Sequence, residues 1–184
     1  GVCNFHFYAA IEWVKHYTLP RPGDLGEVAE LLVWWQRILI PALGGLAAGL
    51  VLHWGLRLVG QGGVSNLLEV VVAGDGRLGF RSGVIKSLSS LLSIGTGASL
   101  GREGAITQFT ATLASKYGQL VDWPPYRLRL LVACGAAAGM AAAYNAPIAG
   151  AVFAAQIVLG NFSMSLFAPL IVASVVAAVV SRTF

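Results

Sequence analysis

Ionisable side chains are scarce in this sequence and missing altogether from a long part of it. Charged residues fill 11% of the 184 positions, under half the roughly 25% of an ordinary soluble domain. From Leu130 to Ser181 there is no Asp, Glu, Lys, Arg or His. One membrane crossing takes about 20 apolar residues, so this run holds two crossings or several broken ones, and a soluble core helix is excluded. With only two cysteines, Cys3 and Cys134, a disulfide scaffold is excluded as well. Cys134 stands inside an apolar helix and reads as a small packing residue. The three histidines, His6, His16 and His53, lack metal-ligand spacing, and neither a metal nor another cofactor is expected. The formal charge of +4 fits basic cytoplasmic loops in a chain this apolar and is a poor argument for nucleic acid. An initial methionine and a signal peptide are also missing; both ends look cut, and the chain reads as part of a longer protein.

What is present is apolar: 57% hydrophobic residues and a mean hydropathy of +0.74. Without barrel-type alternation, a bilayer leaves only helices, so the expected class is all-α and integral to the membrane. Residues 1–17 read as the aromatic tail of a helix, and Thr18–Glu30, rich in Pro and Gly, as an outer loop. Leu31–Leu56 is the first full span, with Trp34 and Trp35 at one end and Trp54 and Arg57 at the other as interfacial anchors. Pro41 suggests a kink, and Gly44, Gly45 and Gly49 suggest close helix contact. Gly60–Ser82 is more polar and carries Arg57, Arg77, Arg81 and Lys86 in or beside it, which places it on the cytoplasmic side. Val84–Ile94 and Ile106–Val121 flank a glycine-rich centre. Asp122–Arg129 reads as a loop, Leu130–Tyr144 as a small-residue helix, and Asn145-Ala146-Pro147 as a break. Ile148–Leu159 is a half-length helix, Gly160–Ser163 a turn, and Met164–Val180 the last span.

The centre is Gly95–Ala105, GTGASLGREGA. Arg102 and Glu103 stand there among glycines and small or apolar residues, and an intramembrane charge pair is functional by default. The bland alternative is a local ion pair or cap. The glycines allow a sharp turn, and a helix restarting near Glu103 would open with its first N–H groups free. Such a terminus suits an anion, because the unpaired donors and the helix dipole point the same way. A carboxylate at that terminus can take the anion's place, which makes a gate in principle.

Other signals are weaker. GDGRLG at Gly74–Gly79 fits G-x-G-x-x-G after a strand-like LLEVVVA, the best argument for a nucleotide-binding enzyme. The βαβ continuation and its acidic residue are absent, and a turn in a cytoplasmic loop is the better reading. Gly95–Gly104 has the wrong spacing for a Walker A loop. The Gly/Ala run Gly135–Ala143 reads as tight helix packing, and Asn145 and Gln156 as buried polar groups tying helices together.

SLGREGA, CGAAAGMAAAYNAPIAGAVFAAQ and the tail AAQIVLGNFSMSLFAPLIVASVV resemble the ClC family of chloride channels and chloride/proton antiporters, on its bacterial voltage-gated branch. The likeness runs from about Leu31 to the C-terminus. It implies a fold of broken and tilted helices in two inverted repeats, of which this chain would be the first. It also implies a multi-pass protein of the bacterial inner membrane, a homodimer with one pore per subunit, and chloride as the transported ligand. Glu103 matches the family's gating glutamate. Anion contacts would come from Gly62, Gly63 and Val64, matched to GSGIPE, and from Arg102, Gly104, Ala105 and Ile106 around GREGP. The match is imperfect. Gly62 stands for the family's serine, Ser65 for proline, Asn66 for glutamate and Ala105 for proline. The inner, proton-passing glutamate of the antiporters falls at Ile157, beside Gln156. The glycine-phenylalanine-proline motif and tyrosine of a second repeat are not in this sequence.

Three functions follow. The first is a channel passing chloride down its gradient, the second an antiporter with a different internal proton route, and the third a non-conducting membrane segment with an interaction role. Proton pumping by an anion gradient separates the first two, and any flux at all excludes the third.

Overall fold

The computed structural model describes residues 2–18, 33–60, 67–72, 74–98, 101–160 and 163–183. The described residues form helices and connections with no strand, so the all-α expectation holds. In chain order the helices are α1 (Val2–Thr18), α2 (Trp34–Leu58), α3 (Leu67–Val72), α4 (Phe80–Gly95), α5 (Arg102–Leu120), α6 (Pro125–Tyr144), α7 (Pro147–Phe153) and α8 (Met164–Arg182). A π-helical turn, Ala154–Val158, extends α7. Only α2 and α8 are long and apolar enough to cross a membrane by themselves among the described residues.

Glycine and alanine set the register. In α2, a Cβ on Gly44 would run into the Thr96 side chain, and one on Gly55 would lie 2.6 Å from Ile85, so α2 and α4 run antiparallel. Gly118 meets Leu128, and Gly139 meets Thr107 and Thr110, which makes α5 and α6 antiparallel. Gly150 of α7 packs on the backbone of Ala137 and Ala141 in α6, and Ser181 Oγ donates to the Ala142 carbonyl at 3.3 Å, bringing α8 back alongside α6. The centre of this packing is a cluster of fully buried Ala133, Ala136, Ala137, Ala151, Ala154 and Ala155 with Val132, Val158 and Leu170. Side chains this small let membrane helices approach closely. Cys134 lies at the edge of that cluster, as its packing role required.

Hydroxyls join helices where the small residues leave room. Ser89 Oγ donates to the Ala48 carbonyl at 2.8 Å, linking α4 to α2. Ser115 Oγ donates to Gly76 O at 2.7 Å and accepts from Leu78 N at 2.8 Å, while Gln119 Nε2 donates to Leu78 O at 3.1 Å. These bonds fasten the 74–79 connection onto α5. Gly76 has φ +74° and its Cα lies against the Arg129 backbone. The G-x-G-x-x-G string is therefore a docked turn whose Leu78 amide and carbonyl and Gly76 carbonyl are used internally.

Several expectations need correcting. LLEVVVA is helical at Leu67–Val72, because a short apolar run does not distinguish strand from helix by pattern. The first span starts at Trp34 and ends at Leu58, with Pro41 inside it. Among the described residues nothing lies within 4 Å of where a Cβ on Gly45 or Gly49 would stand, whereas Gly44 makes a close contact with Thr96. Helix α6 begins at Pro125, leaving 121–124 as the turn; proline's missing N–H costs nothing in a first helical turn. Asn145 and Gln156 are exposed rather than buried.

Two glycines on different helices separate packing from propensity. Gly150→Ala should destabilise the protein by about 1–3 kcal/mol, since a Cβ there would lie 2.6 Å from Ala137 O and 2.9 Å from Ala141 Cβ. Gly49→Ala, in open space, should be neutral or stabilise by a few tenths to about 1 kcal/mol. Thermal melting in detergent measures both, and equal effects would refute the packing account.

Candidate functional site

Five helix ends come together in the fold. They are the C-terminus of α4, the N-terminus of α5, the end of α6 and the start of α7 on either side of their turn, and the C-terminus of α8. Helix α4 ends at Gly95, where Thr96 Oγ1 turns back to the Leu92 and Ser93 carbonyls and Gly97 has φ +92°. Helix α5 then starts at Arg102, with extended Gly101 as its N-cap and no side-chain capping bond. Glu103 lies in the first turn, where a carboxylate complements the helix dipole. Its Oε2 is folded back into the space that a Cβ on Gly101 would fill, and its Oε1 accepts a hydrogen bond from the Tyr144 hydroxyl. The side chain thus turns towards its own helix terminus. Arg102 opens α5, but its side chain lies outside the described residues.

The neighbouring positions divide by face. Gly104 is exposed with open space around its Cα, whereas Ala105 and Ile106 are buried against Phe7 and Ile11 of α1. On the α4 side of this terminus is a cavity of about 240 Å³, lined by Lys86, Ser89, Ser90, Gly104, Ala105 and Gln108 among others. None of the described residues lining it is a carboxylate. The expected anion contacts Gly62, Gly63 and Val64 lie outside the described residues, as do Ser65 and Asn66. No group of His, Cys, Asp and Glu that could hold a metal occurs among the described residues.

At the α6–α7 turn, Asn145 adopts the left-handed conformation (φ 55°, ψ 33°) that ends α6, and asparagine is one of the few residues that tolerates it. Its Oδ1 accepts from Arg182 Nε at 2.7 Å, tying the end of α8 to the residue next to Tyr144.

A profile of the voltage gated chloride channel family matches residues 43–184. The chain belongs to that family. Among similar proteins is a putative chloride channel protein ClcB-like of Ralstonia nicotianae, 44% identical over 188 residues, a match covering all of this chain and 44% of the relative. Voltage-gated ClC-type chloride channel ClcB of Yersinia pestis is 42% identical over 179 residues, covering 91% of this chain and 43% of the relative. The protein of that name from Escherichia coli O139:H28 is 39% identical, with 96% and 42% covered. The chain spans less than half the length of these relatives.

Ile157 falls on the π-helical turn and is about half exposed, with exposed Gln156 beside it. At 1.5 Å per residue it lies roughly 15 Å along the segment from Pro147 and the Glu103 level. The sequence reading brought Glu103, Gly104, Ala105 and Ile106 together correctly as one helix start. It missed Tyr144 and the Lys86–Gln108 cavity. Tyr144 did leave a trace, as the one ring with a polar tip at the end of a helix otherwise made of Gly, Ala and Met at that point.

The space over Gly101 can be filled. In the whole protein, Gly101→Ala should expel Oε2 from the terminus, because the new Cβ and the carboxylate compete for one position. A structure of the variant with Glu103 unmoved would refute that geometry.

Proposed function

We propose that the protein carrying this chain passes chloride across a bacterial inner membrane down its gradient, with Glu103 as the gate. The observation carrying this reading is the Glu103 carboxylate folded back over the side-chain-uncapped start of α5. There it takes the place an anion would occupy, since the first-turn N–H groups and the dipole favour any negative charge equally. With the carboxylate turned away or protonated, the amides near Gly104, Ala105 and Ile106 become donors for a dehydrating chloride, which needs several at once. The Gly62–Val64 segment is proposed as a second donor group and Arg102 as a source of favourable potential.

The names of the relatives support a channel in preference to an antiporter, and so does Ile157. An aliphatic side chain carries no proton, and no Asp, Glu, Lys, Arg or His occurs from Leu130 to Ser181. This reading is transport without bond-making chemistry. The chain supplies the first of two inverted repeats, in a multi-pass homodimer with one pore per subunit; relatives about twice as long are consistent with that.

Liposome flux on the whole protein tests the proposal. Glu103→Gln and Glu103→Ala should each raise chloride flux and flatten its response to acidification, because the competing charge is gone. Unchanged rate and pH response in both would end the gate assignment. In the same liposomes an imposed chloride gradient should move no stoichiometric protons. Tightly coupled proton movement would establish the antiporter and demand a route that avoids Ile157.

A further inference from the structure

We infer that Tyr144 is a positioning residue that holds the Glu103 carboxylate over the start of α5, and that the Arg182–Asn145 bond sets where Tyr144 stands. The inference rests on Glu103 being the gate, as proposed above. Tyr144 is the last residue of α6, and its hydroxyl donates to Glu103 Oε1 across the α5–α6 seam. The two oxygens of the carboxylate therefore have different surroundings: Oε2 lies over Gly101, and Oε1 is held by a phenol from the neighbouring helix. A hydrogen bond to a charged acceptor is among the stronger ones in a protein. It forms only while the carboxylate is turned towards the terminus, so it weights the gate towards closed.

The second half of the inference concerns what aims the phenol. Tyr144 is 56% exposed, so burial does little to hold its ring. The backbone holds it. Asn145 takes the left-handed conformation immediately after it, and Ala146 N returns to the Ala141 carbonyl at 3.2 Å. Arg182 Nε then holds Asn145 Oδ1 at 2.7 Å, and Ser181 Oγ holds the Ala142 carbonyl at 3.3 Å. The end of α8 is thereby fastened to both sides of Tyr144. A shift of α8 along its axis would be passed to the phenol through two hydrogen bonds.

The test is a double-mutant cycle on chloride flux in the whole reconstituted protein. Tyr144→Phe keeps the ring and removes the donor. It should raise flux at neutral pH by about tenfold, the scale of one net hydrogen bond to a charged acceptor. In a Glu103→Ala background the same change should do nothing, because the acceptor is gone; a merely structural tyrosine would alter flux in both backgrounds. Arg182→Gln should raise flux in the same direction by a smaller factor, and should likewise lose its effect with Glu103→Ala. Tyr144→Leu, which removes the same hydroxyl, serves if the phenylalanine variant is not recovered folded. If Glu103→Ala raises flux but Tyr144→Phe and Tyr144→Leu leave it unchanged, the positioning role is wrong and the gate stands. If Tyr144→Phe acts equally with and without Glu103, the role is structural. If Glu103→Ala itself has no effect, the gate reading fails first.

Discussion

The arrangement depends on how closely the backbones of α5, α6 and α7 approach one another. At Gly135 a Cβ would lie 2.7 Å from Ala114 Cβ and 2.8 Å from Thr110 O, and at Gly150 it would meet the α6 backbone. In a bilayer the hydrophobic effect does not draw helix to helix, so dispersion over such close surfaces and a few interhelical hydrogen bonds must hold them. The seam also explains the site. A phenol on the end of α6 reaches a carboxylate on the start of α5 because glycine and alanine remove the bulk between the two helices. Larger side chains there would separate Tyr144 from Glu103 as surely as mutating either.

Helix ends come together at this level because the chain is broken in two different ways. Thr96 and the glycines after it end α4 and let α5 restart at Arg102, while left-handed Asn145 ends α6 and Pro147 opens α7. One break exposes amide donors, and the other supplies the hydroxyl and the asparagine that Arg182 grips. Broken helices with termini near mid-depth are how membrane proteins put backbone dipoles on an ion without leaving unpaired backbone in lipid. The cavity beside Gly104, with Lys86, Ser90 and Gln108 in its wall, adds polar groups to the same level.

Much of this was legible in the sequence, for identifiable reasons. The membrane class followed from missing charge, and the restart of α5 from Gly101 beside an isolated Arg-Glu pair. The Asn-Ala-Pro break followed from proline's effect on its predecessor. Errors arose where local pattern underdetermines structure. LLEVVVA is too short for periodicity to separate helix from strand, and Pro125 looked like a loop residue although it fits a first helical turn. Gly45 and Gly49 resemble packing glycines in composition, but none of the described residues packs against them. The contact that Tyr144 makes was hidden for a deeper reason. Its partner is 41 residues away, and only the register of α5 against α6 brings them together.

That same register bears on time. A seam without side-chain bulk has little slack, because Gly135, Gly139 and Gly150 already lie against the backbone of the neighbouring helix, and packed interiors switch between discrete arrangements more readily than they deform. Glu103, by contrast, is attached through three freely turning bonds. Rotamer changes take picoseconds to nanoseconds, whereas sliding one helix past another takes microseconds to milliseconds. On the proposed reading, the carboxylate can leave and return many times while the helices around it stand still. The dwell of each state is then governed by what holds the carboxylate, an oxygen of Tyr144 on one side and a passing anion on the other, rather than by the inertia of the scaffold.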